Sequence, residues 1–574
     1  MFKNLIFNLD DNLFDYTNAY NKSMEQIFKC LNKTLNIDYT TLNDKFKIIK
    51  KKYQNNIKNQ ASSKNKFIQL KKFTELLNLS YDNLIDLYDV YLTEFYKNLK
   101  LFNNVIDFLE LCKILKINCY ILTNNLCYEQ VNILNKLQIM NYFKKIYTSE
   151  EFGSEKPDTK IFNSILVENN ININDVAMIG DSFKNDIEGV NLINIYAFWF
   201  NNTDLNFNFY NNYCHFTCYS HLFNFFKTYY LEVEKLIKLS KFCGERFDLV
   251  QAGGGNISFK LRKFMFIKSS GCLLSDIDIN KNYVGVDYKN ILNNIFNIND
   301  NDNDNDNDKK NIENQSKNIV DDSIYFLKKF KPSIETTMHI LTKKYTVHIN
   351  PLQFLKICGK KNCLEILNKN FNNFCFIDYR TPGIDIALEL KKVYNNEDVI
   401  FMKNNGIVIT DNNIENIYRL IGNIINNLEK ITNSEFTKYQ FTNYLSSLMN
   451  EITSSSTISY LFNDKEIYEL FNKKIDLSPF FHDKLIYCGI HKIILSKNKS
   501  YDLMEIKRYK EKYNEIPKIF IYNNNIYSNS NNIKKCMEIE SLFKSHLICY
   551  DKDNDILDNN ENNYLNNSDC KFEI

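Results

Sequence analysis

Two short turns rich in glycine and serine carry the groups best suited to hold an anion. The first runs from Gly253 through Gly255 into Asn256-Ile257-Ser258, and the second, Ser269-Ser270-Gly271, follows an apolar run at residues 264–267. Glycine lets the backbone approach an anion closely, and backbone N–H groups with short Asn and Ser side chains donate hydrogen bonds to it. Either turn alone is also explained as a tight connection between strands. The pair, one strand apart, favours a phosphate-binding loop.

A second set of polar side chains follows short apolar runs in the first third of the chain. Because ligands of open α/β sheets gather at the carboxyl ends of the strands, we expect these side chains to line one site. They are Asp10 after residues 3–9, Thr123 and Asn124 after 117–122, and Asp181 with Asp186 after 176–179.

The elements that position this second set are predicted to be strands alternating with helices. The pattern between about residues 16 and 115 is helical, with apolar positions three and four apart and almost no glycine or proline. A further strand is expected near residues 195–198, and a helix over 223–241 leads into the second half of the chain. Such alternation predicts an α/β fold with a Rossmann-like parallel sheet.

Four segments in this region resemble the ordered motifs of the haloacid dehalogenase-like phosphatases. They are FNLDDNLFD at 7–15, ILTNN at 121–125, EKPDTKIF at 155–162 and IGDSFKNDIEGV at 179–190. The resemblance covers about residues 1–235, and it places an inserted helical cap at about 16–100.

The resemblance implies a role for each matching residue. The family's aspartate nucleophile maps to Asn8, its acid/base to Asp10, and its phosphate contacts to Thr123, Asn124 and the catalytic Lys156. A Mg²⁺ site is implied at Asp10, Asp181 and Asp186. An amide cannot attack phosphorus to give an acyl phosphate, and it removes one negative ligand from the metal. We therefore expect covalent turnover to be lost or very slow.

Beyond the glycine-rich turns, a carboxylate and a histidine follow in an order that suits acid/base or metal chemistry. Glu335 stands at a predicted helix start (PSIETTMH, 332–339), and His348 lies on a predicted strand (YTVHINP, 345–351). Residues 399–409 read as strand, turn and strand around Asn404-Asn405-Gly406.

Together with the glycine-rich turns, these pieces resemble the class II aldolase/adducin family over about residues 240–430. The resemblance implies an α/β domain that self-associates, as tetramers, with Glu335 as acid/base. Its three zinc histidines map to His348, Asn350 and Asn405. Since an amide oxygen is a weak ligand for zinc, we expect weak or no Zn²⁺ binding. The family's phosphate loop maps to Gly255, Asn256, Ser258, Ser270, Gly271 and Ser333.

His339 lies one helical turn beyond Glu335 and faces the same side. A structural histidine hydrogen-bonded beneath the site is favoured over a replacement zinc ligand.

The remaining segments are predicted from composition. The alternating Asn and Asp residues from 299, with the polar run to 318, are expected to be a disordered insert. Residues 431–550 are interpreted as an accessory α/β extension with strands at 519–523 and 547–550. The tail, 551–574, is expected to be disordered.

The bulk composition narrows the class of partner. The 574 residues include 71 basic and 69 acidic side chains, and this balance argues against binding to nucleic acid or to an anionic membrane. No apolar run is long enough to span a bilayer, and the fifteen scattered cysteines suit a reducing compartment. We expect a soluble cytoplasmic protein.

Three functions fit the sequence. The favoured one is binding of phosphorylated small metabolites, with the phosphatase-like and aldolase-like sites both altered. An active bifunctional enzyme of sugar-phosphate metabolism, with hydrolase and lyase activities, is the second. A catalytically inactive scaffold, suggested by the substitutions at Asn8, Asn350 and Asn405, is the third.

Overall fold

The computed structural model describes residues 2–57, 60–201, 207–296, 306–472, 475–554 and 556–557, without the side chains of 306–309. The chain divides into two compact units, Met1–Leu231 and Glu232–Ile574. The division falls within one helix, Tyr219–Gly244, which takes the place of the helix expected at 223–241.

The N-terminal unit is built on a seven-stranded sheet in the order β3-β2-β1-β4-β5-β7-β6, parallel except for the pairing of β6 with β7. The four expected strands are confirmed as β1, β2, β4 and β5. Strand β3 escapes prediction because it lies at the sheet edge, where Lys144 and Lys145 are exposed and interrupt the apolar run. The strands are β1 Asn4–Phe7, β2 Asn118–Thr123, β3 Phe143–Thr148, β4 Val176–Gly180, β5 Tyr196–Phe200, β6 Asn208–Phe209 and β7 Tyr213–Phe216.

Helices surround this sheet, and four of them, α1 to α4, form the helical block inserted between β1 and β2. Helix α1 begins where the Asp15 side chain accepts a hydrogen bond from the Asn18 backbone, and α4 begins at a Ser80–Asn83 capping box. The helices are α1 Tyr16–Leu35, α2 Tyr39–Asn56, α3 Lys66–Leu76, α4 Tyr81–Lys97, α5 Val105–Ile114, α6 Cys127–Lys136, α7 Ser149–Phe152, α8 Thr159–Glu168, α9 Gly189–Asn191 and α10 Tyr219–Gly244, with a 3-10 turn at Ala61–Lys64 and a π-helix at Phe183–Glu188.

The C-terminal unit contains a mixed eight-stranded sheet in the order β11-β10-β9-β8-β12-β15-β14-β13. Strand β12 lies between β8 and β15 and is antiparallel to both, and its register places His348 opposite Asn256 on β8 and Val408 on β15. The strands are β8 Asn256–Leu261, β9 Phe264–Lys268, β10 Tyr283–Asp287, β11 Ile324–Phe326, β12 Tyr345–Ile349, β13 Cys375–Ile377, β14 Val399–Met402 and β15 Gly406–Asp411.

The helices of this sheet domain include one in the segment expected to be disordered. Helix α12 covers residues 306–318 of the predicted insert, so that prediction is wrong there, and residues 299–305 lie outside the described residues. Apolar and small side chains four apart, Ile312, Ser316 and Val320, are buried or half-buried on one side of this polar helix, which explains its formation. The helices are α11 Tyr288–Ile295, α12 Asp306–Asp322, α13 Thr336–His339, α14 Leu352–Cys358, α15 Cys363–Asn370, α16 Ile384–Val393 and α17 Ile414–Thr432.

The extension that follows α17 has its own four-stranded sheet in the order β16-β19-β18-β17. The strand expected at 519–523 is confirmed as β18, but residues 547–549 end helix α22. A short apolar run fits both structures, and here Ile539, Phe543 and Leu547 form the buried face of a helix. The elements are α18 Thr437–Thr453, β16 Ile458–Leu461, α19 Lys465–Phe471, α20 His482–Cys488, β17 Ile493–Ile494, α21 Lys499–Tyr513, β18 Ile519–Tyr522, β19 Asn525–Ser530 and α22 Ile533–Cys549.

Most of the tail predicted to be disordered, 555 and 558–574, lies outside the described residues. No helix in the described part of the chain is long and apolar enough to cross a membrane.

Candidate functional sites

Asn8 lies just after β1, and its side-chain amide is fully hydrogen-bonded. Its Nδ2 donates to Asp181 Oδ1 at 2.6 Å and to the Asp10 carbonyl oxygen at 2.9 Å, and its Oδ1 accepts from Lys156 Nζ at 3.1 Å. These contacts fix the orientation of the amide, because only the nitrogen can donate to the two oxygens. The position that the phosphatase resemblance assigns to the nucleophile therefore holds a neutral group whose oxygen already accepts a hydrogen bond from an ammonium group.

Lys156 and Asp186 form a buried ion pair beside Asn8. Lys156 is 4% and Asp186 0% exposed, and Lys156 Nζ lies 2.6 Å from Asp186 Oδ1. The ammonium also donates to the Leu122 carbonyl, and the second carboxylate oxygen accepts from the Ser182 backbone. A side chain at Gly180 would collide with the Asp186 carboxylate, so glycine is required there. The pair is satisfied on both sides, as buried charges must be.

Asp10 presents its carboxyl group to the same pocket. Gln130 Nε2 donates to both carboxyl oxygens at 3.2 Å, and the Asn125 amide donates to one of them. Burial raises the pKa of Asp10 despite these hydrogen bonds. Burial, together with the charge of Asp186, also raises the pKa of Asp181 to about 7. The site therefore contains two carboxyl groups that bind a proton more readily than usual, which suits Asp10 to donate one.

The two residues expected to contact phosphate at the end of β2 differ in their placement. Thr123 lies in the pocket wall, and its hydroxyl accepts from the Asn125 backbone at 3.2 Å. The Asn124 side chain bonds both to the backbone nitrogen and to the carbonyl of Lys156, at 2.8 and 2.9 Å. Asn124 therefore holds the Lys156 loop in position.

These groups line a cavity of about 460 Å³ in the N-terminal unit. Residues of the helical block also line this cavity. Among them are Lys50, Lys64 and Lys66, which were not predicted from the sequence to belong to a site. A sequence signal exists for Lys66, because it lies one turn before Gln69 and Leu70 on the buried face of α3. Lysine is rarely buried without a partner, so a lysine on the buried face of a helix indicates that its ammonium group has a binding or structural role.

The residues expected to bind Mg²⁺ do not form a complete oxygen site. The Asn8 amide nitrogen lies between the Asp10 carbonyl and the Asp181 carboxylate, where it donates to both oxygens. Asp186 is paired with Lys156, and the Asp10 carboxyl with two amides. Mg²⁺ requires oxygen ligands in octahedral geometry, and a donating N–H group in their midst does not fit that requirement.

In the C-terminal unit, Glu335 and His348 form an ion pair at the end of β12. His348 Nδ1 lies 2.9 Å from Glu335 Oε1, and His348 Nε2 lies 2.5 Å from the Asn405 carbonyl oxygen. Although burial opposes both ionised forms, the charge of each partner holds the pKa of Glu335 well below its usual value and raises the pKa of His348. Because both of its neighbours are acceptor oxygens, His348 donates from both ring nitrogens.

His339 and Ser258 lie beneath this pair. His339 Nδ1 is 2.8 Å from the Ser258 hydroxyl, and His339 Nε2 is 3.6 Å from Glu335 Oε2. Burial lowers the pKa of His339. Ser258, expected in the phosphate loop, is 1% exposed and belongs to this acid/base network.

The zinc positions expected at His348, Asn350 and Asn405 do not fit the metal. Both nitrogens of His348 donate hydrogen bonds and leave no lone pair for a metal. A side chain at Gly406 would collide with the Asn350 amide oxygen, so the turn at 404–406 packs directly against the would-be ligands. In the described residues, no group of three or more His, Cys, Asp or Glu side chains is arranged to hold a metal ion. Zinc prefers imidazole or thiolate, and one imidazolium with two amides offers neither.

The expected phosphate donors lie on either side of the Glu335–His348 pair. The Asn256 amide donates to Ser333 Oγ at 2.7 Å, and Ser333 Oγ in turn accepts from the Glu335 backbone at 3.3 Å. Ser270 and Ser333 line a cavity of about 310 Å³ together with Lys317 and Lys331. Glu313 and Asp321 line the same cavity, so its two ammonium groups are accompanied by two carboxylates.

We expect alanine at Gly255 to destabilise the C-terminal unit by about 1–2 kcal/mol. Gly255 has a φ of +71°, and a Cβ there would lie 3.1 to 3.2 Å from Val250, His348 and Leu274. Thermal unfolding followed by circular dichroism measures the effect. Gly253→Ala is the matched control, because a Cβ at that position would meet nothing within 4 Å and the φ of Gly253 is not positive. Equal losses in both variants would contradict the assigned role of Gly255.

Two family models match the chain. Residues 5–200 match the haloacid dehalogenase-like hydrolase model, and residues 234–429 match that of the class II aldolase and adducin N-terminal domain. Both resemblances drawn from the sequence are thereby confirmed. No curated protein sequence matches the chain.

Similar solved structures each cover one part of the chain. A HAD-hydrolase from Bacillus subtilis bound to magnesium is 19% identical, covers 39% of this chain and 97% of its own, and has a TM-score of 0.32. A HAD phosphatase from Thermococcus onnurineus is 19% identical, covers 38% and 95%, and has a TM-score of 0.31. The N-terminal class II aldolase domain of a conserved Thermoplasma acidophilum protein is 20% identical, covers 34% and 92%, and has a TM-score of 0.30.

Proposed function

Since the chain joins a haloacid dehalogenase-like hydrolase domain to a class II aldolase domain, we propose that it binds phosphorylated small metabolites and does not form a phosphoenzyme. The observation that carries the proposal is the state of Asn8. Its amide is held by Lys156, Asp181 and the Asp10 carbonyl in a cavity that is lined by four lysines as well as four aspartates. The site keeps groups that attract a phosphate and lacks the group that would attack it.

In this proposal the N-terminal cavity binds the phosphoryl group near Thr123 and Lys156. Thr123 supplies a hydroxyl in the cavity wall, and Lys156 lines the same cavity, where its ammonium already donates to Asn8, Leu122 and Asp186. Asp10, whose pKa is raised by burial, is proposed as the group that would give a leaving oxygen its proton. Without a nucleophile, that proton transfer has no phosphorus–oxygen bond cleavage to assist, so the ligand stays bound unchanged.

The aldolase-like domain is proposed to bind a phosphorylated ligand independently. The supporting observation is that Ser270 and Ser333 line one cavity with Lys317 and Lys331, although Glu313 and Asp321 line it too. Charge-assisted hydrogen bonds contribute about 1.5–3 kcal/mol each, so two or three suffice for millimolar affinity.

The test is titration calorimetry of the whole protein with glycerol 3-phosphate, and with glycerol as the matched unphosphorylated probe. We expect binding at about 1 mM or tighter for the phosphate ester and none for glycerol. Thr123→Val and Ser333→Ala should then assign the binding to the first or the second domain. Release of inorganic phosphate at ordinary enzyme rates would contradict the proposal, and absence of any binding would favour a scaffold without ligand.

A second candidate function, an active bifunctional enzyme, is favoured by the Glu335–His348–His339 network. The Glu335 carboxylate lies 2.9 Å from His348 Nδ1 and 3.6 Å from His339 Nε2. Such a set can move a proton at a bound carbonyl compound. Solvent-deuterium exchange into dihydroxyacetone phosphate, lost in Glu335→Gln, would support this function for the second domain.

A further inference from the structure

Three lysines of the helical block line the N-terminal cavity, and each lies on a different element. Lys50 lies on α2, Lys64 ends the 3-10 turn, and Lys66 begins α3. Lys50 Nζ donates to the Tyr20 hydroxyl at 3.1 Å, Lys64 Nζ to the Asn124 carbonyl at 3.3 Å, and Lys66 Nζ to the Lys64 carbonyl at 3.0 Å. All of these hydrogen-bond acceptors are neutral.

Within the described residues, none of the three ammonium groups forms an ion pair with a carboxylate. Lys66 is only 9% exposed, and the carboxylates whose charge acts on it, Glu129 and Asp10, lie beyond ion-pair distance. Burial raises the pKa of Glu129 to about 7. The cavity as a whole is lined by four lysines and four aspartates, but the part of its lining that belongs to the helical block has these three lysines and no carboxylate.

The Tyr20 ring brings two of these charges together. Lys50 Nζ lies 4.5 Å and Lys66 Nζ 5.4 Å from its centroid. An aromatic face attracts a cation weakly and does not neutralise it. Accordingly, burial lowers the pKa of Lys50 and Lys64, and lowers that of Lys66 to about 8. Holding these groups charged without an anion is unfavourable, and an anion among them would relieve that cost.

We propose that Lys50, Lys64 and Lys66 form a second anion subsite, so that the ligand of the N-terminal domain carries a second anionic group besides its phosphate. This inference rests on the proposed function and names its substrate class. The two subsites are close, because Lys64 contacts the carbonyl of Asn124, whose side chain holds the Lys156 backbone. With a cavity of about 460 Å³, this closeness fits a short, three- or four-carbon phosphorylated acid.

Calorimetry with 3-phosphoglycerate and glycerol 3-phosphate tests the proposal, since the two probes share the phosphate and the three-carbon chain and differ by a carboxylate. We expect 3-phosphoglycerate to bind the wild-type protein about tenfold to a hundredfold more tightly at low ionic strength. Its advantage should fall as salt is added, because salt screens charges that remain partly exposed. A second pair, fructose 1,6-bisphosphate and fructose 6-phosphate, shows whether a second phosphate serves in place of the carboxylate.

The variants Lys50→Met, Lys64→Met and Lys66→Met should each remove most of this advantage and lower the affinity for glycerol 3-phosphate much less. Lys51→Met is the matched control, because Lys51 is the exposed neighbour of Lys50 on α2 and does not line the cavity. It should bind both probes as the wild type does. Circular dichroism confirms that each variant is folded, and Lys64→Met, at a half-buried position, keeps the test open if Lys66→Met does not fold.

Equal affinity for both members of both probe pairs would overturn the second subsite and leave the proposed function standing. A loss of affinity for glycerol 3-phosphate in the lysine variants, equal to the loss for 3-phosphoglycerate, would also overturn it, because the lysines would then serve the phosphate alone. Absence of binding by any phosphate ester would overturn the inference and the proposed function together.

Discussion

Replacing Asn8 with aspartate is expected to raise the hydrolysis of p-nitrophenyl phosphate in the presence of Mg²⁺ by about 10²-fold or more. The new carboxylate can attack phosphorus, which the amide cannot, and Asp10 lies two residues away with a raised pKa, ready to protonate the leaving oxygen. The Asn8 nitrogen already lies within 3 Å of the Asp10 carbonyl and Asp181 Oδ1. A carboxylate there would gather three oxygen groups around one point, as a divalent cation requires.

The melting temperature of this variant provides a second measurement besides its activity. Without Mg²⁺, the new carboxylate faces Asp181, whose pKa burial already raises to about 7, and the melting temperature should fall. Added Mg²⁺ should restore it, whereas the wild-type protein should respond little. Combining Asn8→Asp with Asp10→Asn is the control, and it should lose the gained activity. A folded, magnesium-responsive Asn8→Asp protein with no gain in hydrolysis would show that another part of the site is defective.

Lys156→Met is expected to destabilise the N-terminal domain by about 3–5 kcal/mol, because it leaves Asp186 as an unpaired buried charge. The chain has a single tryptophan, Trp199, which donates to the Asp181 carbonyl at 2.8 Å. Its fluorescence during urea unfolding therefore reports on this domain and not on the second one.

Two further variants make the result specific to the buried pair. Lys145→Met removes one partner of the exposed Lys145–Glu168 pair, with side chains 46% and 45% exposed, and should change the urea midpoint little. Lys156→Met combined with Asp186→Leu removes both buried charges and should recover part of the lost stability. A similar urea midpoint for Lys156→Met and Lys145→Met would mean that the buried pair contributes little.

The parts of the fold that sequence could predict are those where one local pattern has one structural meaning. Four apolar runs ending in polar residues gave strands β1, β2, β4 and β5, with Thr123 and Asp181 at their ends. Glu335 at a helix start and His348 on a strand were likewise predicted, because their spacing matched ordered motifs. Sequence patterns gave the wrong structure where tertiary packing determines the element. Helix α12 forms despite its polar composition, and residues 547–549 end a helix rather than form a strand.

The connections within the sites could not be read from sequence. His348 forms a hydrogen bond with the Asn405 backbone carbonyl. This contact depends on the pairing of β12 with β15, which are far apart in the sequence. The hydrogen bond from Gln130 to Asp10 joins residues that are 120 positions apart in the sequence. The hydrogen bond from Lys64 to Asn124 joins residues that are 60 positions apart. Lysine is among the commonest residues of this chain, so composition alone gives no reason to single out three of them.

The position of the core contacts of helix α12 predicts that the protein tolerates changes in the length of the Asn/Asp tract. Its contacts with the core come from Ile312, Ser316 and Val320, all beyond the Asn/Asp tract of residues 299–308. A tract of two alternating residues is encoded by a short nucleotide repeat, which replication slippage lengthens or shortens. Since the anchoring side chains follow the tract, copies of the gene with different repeat numbers should encode proteins with the same packed helix.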